Sequence, residues 1–363
     1  MTTLEKLLTR YGRNVHSFMA LEPGLECWFS SDGEGVLAYA DRGGYWVAVG
    51  GPLGPENSRL KLAREFARAA RSHGRKVVFC GVSHHFQVAL ATDFDWLKIG
   101  EQPVWFPDQW DACLARNGKL RNRIRRCLKQ GMEVGELEPR ALDRCEVCRL
   151  LDEWQGNHGL PPMSFMAKVD LFGHQHCRFY LAARQRGRLV GLGVAVPVYG
   201  RGGWLLEDLM IEPGHPGLGE ALIDEFMRVA AKRGASMVSL GLMPLVGLGS
   251  KRHPWLTGLM LLGRQGLRAF YDADGLRRFR EKLGPHVREP VYLVTPQPLD
   301  FWALRAVLMA FAGGWLPAYV VKAVRRAFRR GLPRRMRGSA KVPGQRKRPL
   351  LCSRLRAGAP TVR

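Results

Sequence analysis

Acidic residues are missing from the last part of the chain. Residues 322–363 hold 15 Lys and Arg and no Asp or Glu, so they carry 15 of the formal net charge of +24 and leave +9 for residues 1–321. The segment 331–363 is rich in Pro, Gly and Arg, which excludes a packed core of its own and predicts a basic disordered tail. Such an excess of cations indicates an anionic partner.

A long apolar segment is also missing. Residues 306–321 are uncharged, but this stretch is only 16 residues long and contains Gly313, Gly314 and Pro317, whereas a spanning helix needs about 20 apolar residues. The N-terminal sequence MTTLEKLLTRYGRNV has no apolar signal-peptide region. We therefore predict a cytoplasmic protein with reduced cysteines. For residues 299–330 we predict an apolar to amphipathic terminal helix region. This region docks either on the protein's own core or peripherally on an anionic membrane.

Standard cofactor and metal motifs are absent as well. The Gly217-Leu218-Gly219 loop does not match G-x-G-x-x-G, and no Lys-Ser/Thr pair of a P-loop follows it. Cys145-x-x-Cys148 has no second CxxC to complete a standard zinc site. Two thiols on a helix face are the preferred interpretation, and a zinc site is the alternative. We expect neither a metal ion nor a cofactor.

Residues 204–245 present the most informative pattern. They predict an apolar strand that ends in Glu207 and Asp208, a Gly/Pro turn, an amphipathic helix and a second strand. Because a helix N-terminus exposes free N–H groups, Gly217, Gly219 and Glu220 predict an anion-binding cradle. A carboxylate beside such a cradle suits an enzyme that holds a phosphate-bearing acyl donor and removes a proton. A plain strand–helix–strand connection is the alternative.

Strand and helix signals alternate twice along the chain. They predict an α/β fold of two similar units, at residues 1–131 and 132–298, followed by the terminal helix region 299–330 and the tail 331–363. The first unit ends in a basic helix over 119–130. The two units share the order of their elements, but their sequences do not form a repeat that can be aligned residue by residue.

Five sequence stretches in order resemble the C-terminal catalytic domain of phosphatidylglycerol lysyltransferases, the multiple peptide resistance factors, and related soluble uncharacterised proteins. The resemblance covers roughly residues 14–295. Ile211 follows EDLM where the lysyltransferases tend to have Arg. The stretches are GEGVLAYADRGGYWVAVGGPLGP, FDWLKIGEQPVW with GKLRNRIRRCLKQGMEV, LLDEW with GLPPMSF, EDLM with SLGLMPL, and FYDADGLRRFREKLGPHVREPVYL.

The resemblance implies two fused acetyltransferase-like (GNAT) domains with mixed central sheets flanked by helices. It also implies transfer of an aminoacyl group from aminoacyl-tRNA to the glycerol headgroup of an anionic lipid. Asp208 matches the family's Asp-Leu-Met motif and is the first candidate to bind the donor's amino group or to act as the base, with Glu207 second. Tyr271, Arg278 and Lys282 lie in the closing motif and are candidates to hold a phosphate or the donor's terminal ribose.

The basic helix supplies further candidates for substrate binding. Arg121, Arg125 and Lys129 are spaced four apart and share one face, while Leu120, Ile124 and Leu128 predict an apolar stripe. Like charges at this density repel one another unless an anion such as a tRNA arm or lipid phosphates lies on them. A solvated basic face is the alternative.

Three functions therefore follow from the sequence. The first is an aminoacyl-tRNA-dependent aminoacyltransferase that modifies a lipid of the phosphatidylglycerol type. The alternatives are an acyl-CoA-dependent N-acyltransferase and a non-catalytic basic adaptor that binds membrane or RNA.

Overall fold

The computed structural model describes residues 2–248, 252–267 and 272–331. Twelve strands form within these residues: β1 (Glu26–Phe29), β2 (Val36–Arg42), β3 (Tyr45–Val49), β4 (Lys76–Ser83), β5 (Asp95–Trp105), β6 (Met132–Leu137), β7 (Phe179–Gln185), β8 (Arg188–Val198), β9 (Gly203–Ile211), β10 (Val238–Ser239), β11 (Met243–Pro244) and β12 (Val287–Thr295).

Eleven α-helices accompany these strands in the described part of the chain. They are α1 (Thr3–Tyr11), α2 (Arg59–Ser72), α3 (His84–Leu90), α4 (Trp110–Arg116), α5 (Gly118–Lys129), α6 (Arg144–Asn157), α7 (Leu218–Lys232), α8 (Pro254–Leu267), α9 (Ala273–Glu281), α10 (Phe301–Ala312) and α11 (Leu316–Gly331).

All the strands belong to one sheet, in the order β1-β2-β3-β4-β12-β5-β10-β9-β8-β7-β6, with β11 paired to β5. The predicted mixed α/β architecture is confirmed, but the two predicted central sheets are joined into one. The junction is the antiparallel pairing of Val238 and Ser239 in β10 with Trp105 and Val104 in β5.

The same arrangement occurs in both halves of the sheet. An antiparallel pair, β2–β3, leads through α2 to β4, which lies parallel to β3. In the second half, β8–β9 leads through α7 to β10, which lies parallel to β9. Parallel neighbours need a crossover connection, and here a helix supplies it each time. The interpretation as a tandem of one fold remains a prediction.

Strand β12 crosses the predicted boundary between the halves. It comes from residues 287–295 but lies between β4 and β5, and nine of its residues pair with β5. Arg201 reinforces this link through two hydrogen bonds to the carboxylate of Glu289, at 2.9 and 2.7 Å. A division of the chain at residue 131 therefore separates neighbouring strands, and it remains untested as a domain boundary.

Helix α5 has the predicted bounds but a different buried face. Asn117 caps it by accepting a hydrogen bond from the Leu120 N–H. Leu120, Ile124 and Cys127 are buried, whereas Leu128 is 43% exposed. The predicted stripe through Leu128 is wrong because steps of four residues drift around a 3.6-residue helix, and a step of three restores the inner face.

The terminal helices pack against the sheet on one side. Ala303, Ala306, Val307 and Ala310 of α10 are buried in the cluster that also contains Val36 and Val47 of β2 and β3. Within the described residues no single helix is long and apolar enough to cross a membrane; α10 and α11 meet the criteria only as a pair, bent by 54°. The predicted tail lies outside the described residues beyond position 331, where α11 ends.

Candidate active site

The candidate site lies where strand β9 parts from strand β10. Their pairing is confined to Trp204 and Leu205 opposite Val238 and Ser239. Beyond this point the chain after β10 turns through Gly241, at φ +81°, and pairs with β5 instead. Glu207 and Asp208 follow directly on β9. Diverging parallel strands leave an opening in the sheet, and the two predicted acids lie beside it.

A β-bulge determines how these acids are oriented. Asp208 pairs with Val194 and Leu206 pairs with Ala195, so Glu207 is an extra residue in β9. Strict alternation predicts that Glu207 and Asp208 face opposite sides of the sheet, but a bulge breaks alternation. The charges of Arg178 and Asp170 influence the pKa values of both acids. The expectation that only one of them reaches the site is therefore wrong.

Arg178 is the electrostatic centre of the site. Its Nη1 donates a hydrogen bond to Glu207 Oε2, and its Nη2 lies 3.8 Å from Glu22 Oε1. Its guanidinium lies over the Phe18 ring, 5.2 Å from the ring centroid. The side chains of Arg178, Glu22 and Glu207 are only 1%, 4% and 4% exposed. Glu22 belongs to the first half of the chain and the other two to the second, so the site joins the halves.

Several buried polar atoms of this cluster have no hydrogen-bond partner among the described residues. They are Glu22 Oε2, Glu207 Oε1, Asp208 Oδ2 and Arg178 Nε. Leaving a buried polar group unpaired costs about 1–3 kcal/mol. Such groups concentrated in one place are typical of a site that binds a polar ligand rather than of a structural ion pair.

Burial shifts the protonation of the cluster. Desolvation, reinforced by the charges of Glu207 and Asp170, raises the pKa of Glu22 to about 8. Desolvation and the neighbouring Glu207 raise the pKa of Asp208 well above its ordinary value. Desolvation, with a contribution from Arg280, lowers the pKa of His16 to about 4. Burial therefore favours the neutral form of each of these groups, and a cation that binds beside the carboxyls would favour their ionised form.

The predicted cradle forms a second, separate cluster at the start of α7. Gly217 has φ +90°, and a Cβ there would lie 2.9 Å from the Arg123 carbonyl oxygen, so this glycine lets α5 approach α7 closely. Glu220 is buried, and its Oε1 forms an ion pair with Arg123 Nε at 2.7 Å and accepts a hydrogen bond from Lys282 Nζ at 2.7 Å. The structure thus brings Gly217 and Glu220 together with Lys282 of the closing motif, and Gly219 packs near Phe279. Anion binding by this cradle remains a prediction.

The predicted cations of α5 line a groove of about 570 Å³. Arg121 donates to the carbonyl oxygens of Leu114 and Ala115, at 3.3 and 3.1 Å, and so caps the end of α4. Arg125 and Lys129 lie in the same groove, with apolar surface from Ile124 and Leu128. A cationic rim over an apolar floor suits a ligand that carries both phosphates and bases.

The groove and the carboxylates lie on opposite faces of the sheet. Residues directly paired across strands share a face. Asp208 pairs with Val194, which packs against α6, whereas Leu206 pairs with Ala195 and packs with Ile124 of α5. Arg280 of α9 donates to the carbonyl oxygens of Gly241 and Leu242, at 2.9 and 2.7 Å, beside the opening between β9 and β10.

The remaining candidates are dispersed. Tyr271 lies outside the described residues. Arg278 is 71% exposed, and its nearest carboxylate is Asp272 at 3.8 Å. Lys282 follows the end of α9 and contacts Glu220. The predicted phosphate-binding pair Arg278 and Lys282 therefore remains a prediction, with one member already bound to a carboxylate.

Sequence reasoning missed two members of the carboxylate cluster, Glu22 and Arg178. A signal was present for both of them. Glu22 follows the apolar run FMAL, and Arg178 directly precedes the apolar strand FYLAA. A charged residue at the edge of an apolar run is a candidate for a buried pair, because an unpaired charge would be costly there.

Comparison with known proteins identifies the family of this chain. The profile of the family described as "Phosphatidylglycerol lysyltransferase, C-terminal" matches residues 5–295. The chain belongs to this family. The resemblance carried by the motifs is therefore confirmed.

Two curated relatives show how much of a longer protein this chain represents. The phosphatidylglycerol lysyltransferase of Bacillus subtilis is 24% identical over 292 residues, which cover 78% of this chain and 34% of that protein. An uncharacterised protein of Corynebacterium glutamicum is 25% identical over 293 residues, covering 77% and 37%. The chain thus spans about a third of the length of the curated relatives it matches.

Solved structures confirm the fold. L-PGS from Bacillus licheniformis superposes with a TM-score of 0.71 at 22% identity, over 85% of this chain and 94% of that one. A C-terminal domain (DUF2156) from Agrobacterium fabrum gives 0.73 at 20% identity, over 86% and 96%. At these identities the likeness establishes the shared fold alone.

Proposed function

We propose that this chain transfers an aminoacyl group from aminoacyl-tRNA to a hydroxyl group of a phosphatidylglycerol-type lipid headgroup. The observation that carries the proposal is the buried cluster of Glu22, Arg178, Glu207 and Asp208 beside the opening in the sheet. Membership of the lysyltransferase family supports the same reaction class.

Asp208 is the proposed proton acceptor. The attacking hydroxyl loses its proton to Asp208 as its oxygen bonds to the aminoacyl carbonyl carbon, and the ester bond to the tRNA ribose breaks. The leaving ribose oxygen then takes the proton, so the step is balanced. Because burial raises the pKa of Asp208, its ionised form is a strong base, and the α-ammonium group of the donor would stabilise that form.

The groove along α5 is the proposed binding surface for the tRNA. Arg121, Arg125 and Lys129 lie there beside exposed Leu128. Phosphates pair with the cations and an unpaired base packs on the apolar floor. The tRNA body would stay on the α5 face while its aminoacylated end reaches Asp208 through the opening between β9 and β10.

The acyl-CoA alternative receives less support from the cradle. A CoA pyrophosphate would have to bind at the start of α7, where the buried carboxylate of Glu220 already pairs with Arg123 and Lys282. A second anion at this place would have to compete with Glu220 for these two cations. The proposed cytoplasmic, membrane-peripheral location follows from the lipid acceptor.

Lipid extraction from expressing cells, followed by mass spectrometry, tests the proposal. Cells that produce the wild type should contain aminoacylated headgroups, and cells that produce Asp208→Asn should not. Purified protein should use charged tRNA rather than acetyl-CoA as the donor. Transfer from acetyl-CoA alone, or unchanged lipids with the wild type, would contradict it.

A further inference from the structure

Helix α8 is apolar on both of its faces. Leu256 is fully buried and Met260 packs against the same core cluster. Trp255, Leu259 and Leu262 follow one another at i, i+4 and i+7 on the outer face and are 55%, 37% and 66% exposed. A helix that is apolar all round belongs in a core or at a lipid surface, and the outer face of α8 is not in the core of this chain.

Helices α10 and α11 repeat this arrangement. The inner face of α10 is buried, while Trp302 and Leu308 on its outside are exposed. Tyr319 of α11 donates to the Pro161 carbonyl oxygen at 2.9 Å and Ala323 is buried, so that face holds the helix to the protein. Trp315, Val321 and Phe328 are exposed, as are Lys322 and Arg325.

Asp95 brings the two helical segments together. Its Oδ1 contacts His253 Nε2 and Arg252 Nε, each at 2.8 Å, just before α8. Its Oδ2 accepts from the Leu299 N–H at 2.8 Å, just before α10. The carboxylate of Asp95 therefore holds residues that lie within about one helical turn of Trp255 and of Trp302.

The charge of the segment after Asp300 is complementary to an anionic surface. No Asp or Glu occurs in residues 252–267 or anywhere after Asp300. Lys and Arg are frequent after Asp300, whereas Arg252 and Arg264 in the first segment are paired with Asp95 and Asp274. A second copy of the chain would bring like charge against like charge. Anionic lipid headgroups would attract these cations, while exposed Trp side chains favour the boundary between headgroups and acyl chains.

We propose that Trp255, Leu259, Leu262, Trp302, Leu308 and Trp315 form an apolar docking surface that lies in the interface of an anionic lipid bilayer. The segment lies on the membrane rather than across it, because the inner face of α10 is part of the protein core. This docking needs no aminoacyl transfer, so vesicle binding tests it separately from the proposed reaction.

Flotation of the full chain with phosphatidylcholine vesicles, with and without phosphatidylglycerol, is the test. The wild type should float with the phosphatidylglycerol vesicles and keep a bound fraction at high salt, where attraction by the basic tail is screened. The triple variant Trp255→Ser, Trp302→Ser, Trp315→Ser should lower the partition coefficient about tenfold or more. Leu262→Asp with Leu308→Asp is an independent second variant with the same expected loss.

The matched control is Phe29→Ser with Val88→Ser, which removes exposed apolar side chains from other elements and should leave binding unchanged. Circular dichroism verifies the fold of each variant. Binding of both docking-surface variants at the wild-type level would overturn the proposal, and so would an equal loss in the control. If the wild type does not bind vesicles but forms a dimer, and the triple variant dissociates that dimer, the surface binds a second copy of the chain instead.

Discussion

Glu22, Arg178, Glu207 and Asp208 share one buried environment in which carboxylates outnumber cations. Arg178 can neutralise only one of its acidic neighbours, and burial opposes ionisation of the others. The raised pKa values of Glu22, Glu207 and Asp208 follow from this imbalance. Such a site lacks positive charge until it receives a cation or takes up protons, so its members are the most informative targets for single substitutions.

Asp208→Asn is expected to keep the fold and to lower turnover by about 10²-fold or more, the usual range for loss of a general base. The amide has nearly the same shape but accepts no proton. Steady-state kinetics with charged tRNA measures the effect, with thermal unfolding as the control. If Asp208→Asn keeps its activity and Glu207→Gln loses it, Glu207 is the base; activity in both variants would exclude acid–base catalysis by this pair.

Glu22 should make the protein less stable as pH rises. Its pKa is about 8 in the folded state against an ordinary 4.5, so between these values the folded protein holds a proton that the unfolded chain has released. The free energy of unfolding then falls with increasing pH, by at most about 1.4 kcal/mol per pH unit for one proton. Below pH 4.5 this contribution to stability is fully present, and it is lost as pH passes 8.

Urea unfolding of the wild type and Glu22→Gln between pH 5 and pH 8, a window set by the two pKa values, measures this slope. The variant should show the shallower pH dependence. Glu34→Gln is the matched control because Glu34 is exposed, and it should retain the wild-type slope. Equal slopes in all three proteins would show that Glu22 ionises normally in the folded state.

Helix α5 packs closely against the loop before α7. Close approach at Gly217 and the contacts of Glu220 with Arg123 and Lys282 hold the two helices with their polar groups satisfied. The outer cations of α5 have no such structural task, apart from the contacts of Arg121 with the end of α4. Their charge is therefore free to serve a ligand.

Reversal of Arg121, Arg125 and Lys129 to Glu should weaken tRNA binding far more than it changes folding. Each lost phosphate contact should reduce the log–log salt slope by roughly 0.7–0.9, and the apparent KM for the donor should rise with little change in kcat. Filter binding of tRNA against salt concentration measures the slope. The core positions Leu120, Ile124 and Cys127 remain intact.

The same reversal on another helix controls for net charge. Lys61, Arg68 and Arg71 lie exposed on α2, and their replacement by Glu changes the total charge equally. This variant should bind tRNA nearly as the wild type does. If both triple variants lose affinity to the same extent, the effect is long-range electrostatics and α5 is not the binding surface.

Strands that cross between the two halves hold the whole molecule together. β12 comes from the end of the chain and fills the place between β4 and β5, while β10 joins β5 to the second half of the sheet. Arg178 and Glu22 join the halves again at the site. We therefore expect the two halves to fold as one cooperative unit rather than as separable domains.

A fragment of residues 1–131 tests this cooperativity. It lacks β12, so β4 and β5 lose the strand between them and expose unpaired backbone and apolar edges. The fragment should show no cooperative urea transition, whereas residues 1–331, without the basic tail, should unfold in a single transition. A cooperative transition in the fragment would establish the first half as an independent domain.

Local patterns were enough to determine the elements and the family. The period of apolar residues predicted α5 and α7, the Gly/Pro turn located the connection from β9 to α7, and five motifs in order indicated the lysyltransferase family, because each depends on residues close together in sequence. Asp208 was found in this way, through its motif rather than through its surroundings.

The tertiary structure alone decided the rest. The bulge at Glu207, the burial of Cys127 instead of Leu128, the pairing of Glu22 with Arg178 and the place of β12 all depend on residues far apart in sequence. Alternation and helical periodicity describe an isolated element, and they cannot show where a strand gains a residue or which distant charge will neutralise a buried one. Protonation of the site follows from burial, which exists only once the two halves of the sheet have come together.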